Sequence, residues 1–202
     1  MYYKYVKRFI DIVGSFVLLI VFSPILFVLA VCVKWNLGSP VIFRQKRVSK
    51  GNRVFLIYKF RTMRELRDAH NRYLSDCQRI TNLGKILRSA SLDELPELYN
   101  ILKGDLSFIG PRPLPVEYLS YYEGKELERH NVRGGLIPPE VLYDNIRPTW
   151  KEQFTYEIAY ANGVSFWMDV KILCSALRNV LRRNQEHYGE YERESFFERD
   201  TL

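Results

Sequence analysis

The 202 residues carry 30 Lys or Arg against 23 Asp or Glu, a formal net charge of +7 at pH 7, with a sequence pI of about 9.3. That length supports one sizeable core with appendages, and the basic balance suits nucleic acid, anionic lipid or phosphorylated small molecules without choosing among them. Three widely spaced cysteines (Cys32, Cys77, Cys174) and three scattered histidines (His70, His130, His187) exclude a disulfide framework, argue against a zinc site and fit a reducing compartment.

Lys4, Lys7 and Arg8 precede a run without charge from Ile12 to Val33; Lys34, Arg44, Lys46 and Arg47 follow it. The run is long enough to cross a bilayer core as a helix and too long for a signal-peptide apolar region. A buried core helix would need a polar face, and this run has almost none. Ser23-Pro24, at its middle, predicts a break or kink. Positive flanks on both sides give no orientation. A helix that bends at Ser23-Pro24 and leaves on the same face satisfies both; a straight span is the competing geometry. Asp11, one turn after Arg8, predicts an Arg8–Asp11 pair.

Val41-Ile42-Phe43 and Val54 to Tyr58 read as strands joined at Ser49-Lys50-Gly51-Asn52, a β-hairpin. Residues 64–80 predict a polar loop or an exposed helix, and Ile86-Leu87 a short helix. Ser91 with Glu94 matches a capping box and Gly104 a stop. A helix is therefore expected from near Ser91 to Lys103, irregular at Pro96, with Leu95, Leu98, Tyr99 and Leu102 facing the core. Prolines 111, 113 and 115 exclude a long helix over 105–115, and 116–129 admits one. Gly134-Gly135 and Pro138-Pro139 mark a loop, and Trp150 to Tyr160 reads as helix. From Ser165 to Arg183 an apolar stripe (Phe166, Val170, Leu173, Leu177, Leu181) stands beside Lys171, Arg178, Arg182 and Arg183. That pattern fits a helix on an anionic membrane surface and a core-facing helix equally. From Asn184 the chain is charged and aperiodic, and a mobile tail is expected.

Thirteen Lys or Arg face three acids between Arg44 and Arg88. Most such charge is ordinarily a solvated face, aided near a membrane by anionic lipid. Lys59 and Arg61 differ, because alternation directs both to the side of Phe55 and Ile57, at a strand end suited to a cleft. Arg112, in a proline-rigidified turn, suits bidentate phosphate binding or a structural ion pair. Asp93-Glu94 is explicable as a helix N-terminus. In basic surroundings the pair also fits phosphoryl chemistry, since a carboxylate can attack phosphorus and a hard cation such as Mg2+ takes carboxylate and phosphate oxygens.

These residues occur within a longer pattern: Lys7-Arg8 and Asp11, Ser23-Pro24, Lys59-Phe60-Arg61-Thr62-Met63, Leu83-Gly84-Lys85 with Leu87-Arg88, Ser91 to Pro96, Asn100 to Pro113, and Ser165-Phe166 with Asp169-Val170-Lys171. In this order and spacing the chain resembles the small monotopic phosphoglycosyl transferases of the bacterial sugar transferase family, over nearly its whole length. The resemblance implies transfer of a phosphosugar from a nucleotide diphosphate sugar, usually a UDP-sugar, to a polyprenol phosphate such as undecaprenyl phosphate, with release of UMP, as the first membrane step of a bacterial glycan pathway. It implies Asp93 as the nucleophile of a covalent aspartyl intermediate, Glu94 as acid or base, and Mg2+ beside Asp93. Lys59, Arg88 and Arg112 become candidate phosphate contacts, with Arg61 added by its place on the strand. It also implies a re-entrant helix broken at Ser23-Pro24 and an active site at the cytoplasmic face of the bacterial inner membrane, with downstream glycosyltransferases as further partners.

Elements and resemblance together give an α+β, mostly helical fold. Residues 1–38 form a re-entrant membrane helix, 39–183 a cytoplasmic catalytic domain with a β-hairpin and interfacial amphipathic helices, and 184–202 a charged tail. The chain departs from the family at Arg133-Gly134-Gly135-Leu136-Ile137-Pro138-Pro139-Glu140-Val141, within 133–147. A catalytically reduced membrane-bound relative that scaffolds glycan assembly is therefore the alternative reading. Nucleic acid is not an expected partner, because the basic stretch lacks the aromatic interleaving of a recognised module.

Overall fold

A computed structural model describes residues 1–143 and 148–182. One π-helical turn, Tyr2–Val6, leads into helix α1 (Lys7–Val21), and α2 (Ser23–Leu37) follows at a bend of 63°. The break falls where the sequence places it. Pro24 has no N–H to give the carbonyl of Ile20, and the Ser23 hydroxyl donates to that carbonyl instead, at 2.7 Å. Among the described residues no single helix is long and apolar enough to cross a membrane; the bent pair passes that test together.

Both helices are one-sided. Leu18, Leu19 and Phe22 pack on the buried cluster of Phe55, Ile57, Leu98, Ile101 and Leu106. Val33 is fully buried with Phe60 and Leu87. Phe9, Phe16, Ile20, Val21, Phe27 and Val28 remain exposed on the outside, an apolar surface of the kind that marks a membrane or protein contact. The expected Arg8–Asp11 pair does not form. Arg8 instead donates to the carbonyls of Ile101 and Leu102, both at 2.7 Å, where a helix C-terminus attracts a cation. Asp11 accepts from Ser107 Oγ at 3.0 Å and Phe108 N at 3.1 Å. The buried ion pair of α1 is Lys7–Asp169, at 2.6 Å.

Strand β1 (Ile42–Val48) pairs antiparallel with β2 (Val54–Phe60), Ile42 opposite Phe60 and Val48 opposite Val54. The hairpin is as expected, but β1 runs beyond Phe43, because the ladder carries the polar Arg44–Arg47 stretch along. Residues 64–80 are mostly loop, ending in the short helix α3 (Asp76–Arg79), and α4 (Asn82–Ser89) follows.

The capping box at Ser91 is not formed. Ser91 adopts a left-handed conformation, φ 55°, without a side-chain cap bond, whereas an N-cap needs an extended backbone. A 3-10 turn at Leu92–Glu94 comes first, and α5 (Glu97–Lys103) starts after Pro96. Starting later, α5 buries Leu98 and Ile101, while Tyr99 is exposed. The buried Asn100 fastens α5 to β2, accepting from Tyr58 N at 3.1 Å and donating to Leu56 O at 2.7 Å. Gly104, at φ 94°, ends α5 as expected.

Gly134-Gly135, read as loop, is strand. β4 (Gly134–Ile137) lies parallel to β3 (Leu106–Ile109). A Cβ on Gly135 would run into the backbone of Ile109 and Gly110, so the missing side chain permits the pairing. Residues 116–131 form 3-10 turns, Val116–Tyr121 and Gly124–Asn131. Helices α6 (Trp150–Asn162) and α7 (Phe166–Arg182) close the core through Tyr160 and Ile172. Four of the five residues of the predicted α7 stripe face outward, Phe166, Leu173, Leu177 and Leu181 being 46%, 44%, 57% and 83% exposed, while Val170 is half-buried. The core-facing alternative is thereby set aside for those four residues. Residues 144–147 of the atypical loop, Arg183 and the 184–202 tail lie outside the described residues.

Candidate active site

The end of β2 and the turn before α5 converge on one carboxylate–lysine cluster. Lys59 Nζ lies 2.5 Å from Glu94 Oε1 and 3.1 Å from Glu97 Oε1. Asp93 sits beside them on the 3-10 turn, buried but for 8% of its surface. Adjacent residues of a 3-10 turn diverge by about 120°, which is why Glu94 can hold the lysine while Asp93 does not share it. Burial, first, and the charge of Glu94, second, push the Asp93 carboxyl above the usual carboxylate range; Lys59 and Arg88 act against that rise. Glu97 is pushed up to about 7, chiefly by burial, with Lys59 opposing and Glu94 reinforcing. Of these, Glu97, pushed up to about 7, can accept a proton near neutrality.

Arg88 is placed by a close approach of α4 to the strand end. Gly84 lies against Thr62, and a Cβ there would run into the Thr62 carbonyl. Arg88 Nε then donates to Thr62 Oγ1 at 3.1 Å. Arg112 is placed through its backbone. Its N–H donates to Glu157 Oε1 at 2.8 Å, and its carbonyl accepts from Arg129 at 2.6 Å. Glu157 and Arg129 form a fully buried ion pair at 2.6 Å. The Arg112 side chain is exposed, and its charge is felt by Glu97 and by the largely buried Arg47, whose pKa is lowered by burial and then by Arg112.

The structure thus gathers Asp93, Glu94, Lys59, Arg88 and Arg112. Arg61 stands apart: its guanidinium bonds the carbonyls of Leu37, Gly38 and Ser39 at the end of α2. Ser23 and Pro24 lie at the helix bend. Sequence reasoning passed over Glu97, whose place four residues after Asp93 was its only signal. It also passed over the Arg129–Glu157 pair, which no local pattern marks.

Among the described residues no group of three His, Cys, Asp or Glu could hold a metal ion. Mg2+, however, commonly uses one or two carboxylates and takes its other ligands from water and substrate phosphates. The hard oxygens of Asp93, with a raised pKa that a nearby cation would lower, fit such an ion.

Carboxylates bridged by a lysine, within the electrostatic reach of two arginines, are the make-up of a site for phosphorylated, anionic ligands, set here beside an apolar helical bend. The chain belongs to the bacterial sugar transferase family, whose model matches residues 2–183. It is 39% identical over 175 residues to the uncharacterized sugar transferase EpsL of Bacillus subtilis, covering 87% of each chain. It is 34% identical to a UDP-N-acetylgalactosamine-undecaprenyl-phosphate N-acetylgalactosaminephosphotransferase of Aeromonas hydrophila, over 89% of this chain and 44% of that enzyme. To a UDP-glucose:undecaprenyl-phosphate glucose-1-phosphate transferase of Klebsiella pneumoniae it is 36% identical, over 83% of this chain and 38% of the relative. The chain therefore spans less than half of these two longer enzymes.

Proposed function

We propose that the protein transfers a sugar phosphate from a UDP-sugar to a polyprenol phosphate, undecaprenyl phosphate in the names of its relatives. The observation that carries this reading is the division of labour at the cluster: Lys59 engages Glu94 and Glu97 and leaves Asp93 to react. An Asp93 oxygen attacks the phosphorus that bears the sugar. The phosphoanhydride bond breaks, and UMP departs with the bonding electrons. An oxygen of the polyprenol phosphate then attacks the same phosphorus, and the Asp93 carboxylate leaves, restoring the enzyme. Glu94 and Glu97 accept any proton the acceptor phosphate still carries, and Lys59, Arg88 and Arg112 offset phosphate charge. Mg2+, when held by Asp93 and phosphate oxygens, would supply further charge neutralisation.

The bent helix pair supports a re-entrant, bilayer-seated reading: its outer surface is apolar, and Lys7 and Arg61 tie its two ends to the folded domain. The exposed α7 stripe supports contact of that helix with the membrane surface. The test is UMP release by the full chain in nanodiscs with Mg2+, polyprenol phosphate and a panel of UDP-sugars. Wild type is expected to release UMP with at least one sugar, and Asp93→Asn with none. Full activity of Asp93→Asn would refute the reading. A phosphosugar adduct on Asp93, found by mass spectrometry, would exclude the scaffold alternative.

A further inference from the structure

The turn end of the hairpin carries a second cationic site. Arg53 and Lys59 are six residues apart along an extended strand, so this site lies about 20 Å from the carboxylate cluster. Lys50, Arg53, Gly104, Asp105 and Arg133 wall a half-open cavity of about 150 Å³, roughly tenfold what one water requires. Its charge is unbalanced. The buried carboxylate of Asp105 is shared by Arg53 at 2.8 Å and Lys103 at 2.9 Å. Arg133 donates through Nε to Gly104 O at 3.1 Å, and Arg8 packs against Gly104 from behind. Three cations, Lys50, Arg53 and Arg133, thus line the cavity with one carboxylate, Asp105, and neither Lys50 nor Arg133 has an acidic partner among the described residues.

The cations are also held in place. Lys50 Nζ stands 4.7 Å over the Tyr3 ring, and the Tyr3 hydroxyl accepts from Arg133 N at 2.9 Å. Burial and the Arg133 charge both lower the Lys50 pKa, as expected of neighbouring cations. Shape and charge call for a small oxyanion. Tyr3 and Arg8 belong to the stretch that opens α1, whose Tyr5 and Phe9 are exposed. An anion here would lie beside the chain's outward apolar surface, at headgroup depth if the bent pair sits in a bilayer.

We propose that this cavity binds the phosphate of an anionic phospholipid headgroup, fixing how the catalytic face meets the membrane. The lipid source rests on the bilayer-seated reading; the phosphate chemistry does not. The test follows thermal stabilisation of the detergent-solubilised full chain by short-chain phosphatidylglycerol, short-chain phosphatidylcholine and inorganic phosphate. Phosphatidylglycerol is expected to stabilise the wild type and phosphatidylcholine not. Stabilisation by inorganic phosphate to the same extent would keep the site and assign it to soluble phosphate. Lys50→Gln with Arg53→Gln is expected to weaken the apparent affinity about tenfold or more per cation removed. A control of equal charge change at the exposed Lys125 and Lys151 should leave it intact. An unchanged response in the double variant, or an equal loss in the control, overturns the proposal. Should the double variant fail to fold, Lys50→Gln alone carries the same comparison. Since the readout needs no turnover, a failure to release UMP would leave it standing.

Discussion

Replacing Glu97 by Gln tests whether the carboxylate cluster is a strained, functional arrangement. The Glu97 carboxyl is almost fully buried beside Lys59, yet its pKa is raised from 4.5 to about 7. Desolvation of the ionised form therefore outweighs the attraction of the lysine. A folded-state pKa above the unfolded value means that the native protein binds more protons between the two. Stability is then highest below about pH 4.5 as far as this group is concerned, and is lost as pH rises toward about 7. At about 1.4 kcal/mol for each tenfold in proton affinity, the loss is about 3 kcal/mol. Glu97→Gln keeps the shape and removes the charge, so it should be the more stable protein above about pH 7 and nearly equal to wild type at about pH 4.5. For a chain of this size the melting gap at high pH should be about 6–12 °C. Thermal unfolding in detergent across that pH range reads it directly. A gap that is constant with pH, or that favours wild type at high pH, would show that Lys59 already satisfies Glu97 as an ordinary ion pair.

Glu157→Gln should cost about 3 kcal/mol, because it leaves the Arg129 guanidinium buried without its counter-charge; equilibrium unfolding checks this, and a neutral result refutes the pinning role assigned to the pair. Gly84→Ala should lower both stability and UMP release, since its Cβ meets the Thr62 carbonyl and displaces Arg88; a wild-type Arg88 response in phosphate-analogue binding would contradict this. Ser23→Ala should destabilise by about 1 kcal/mol, leaving the Ile20 carbonyl without the hydroxyl that replaces the Pro24 N–H. Distances between spin labels on α1 and α2 should stay near the wild-type bend in that variant, because Pro24 still forbids a straight helix.

The amino-acid sequence by itself determined the elements governed by local rules. The apolar run and Ser23-Pro24 gave a bent helix pair because proline removes a donor wherever it stands. Two apolar runs joined by the turn residues Ser49 to Asn52 gave the β1–β2 hairpin, Gly104 the end of α5, and the ordered motifs the family. Ser91 shows where local rules fail: its capping pattern was present, but the backbone turns left-handed there because the chain must fold back from α4 into the carboxylate turn. Gly134-Gly135 shows the same from the other side. A glycine pair signals a loop until a second backbone, at Ile109-Gly110, needs the space a side chain would fill. Only the tertiary structure decided that Lys59 bridges Glu94 and Glu97, that Arg61 serves the end of α2, that Arg8 and Asp11 part company, and that Arg129 and Glu157 hold the Arg112 turn. Each of those outcomes joins residues distant in sequence, and a charge buried by folding takes the nearest partner the packed chain offers, not the nearest one along it.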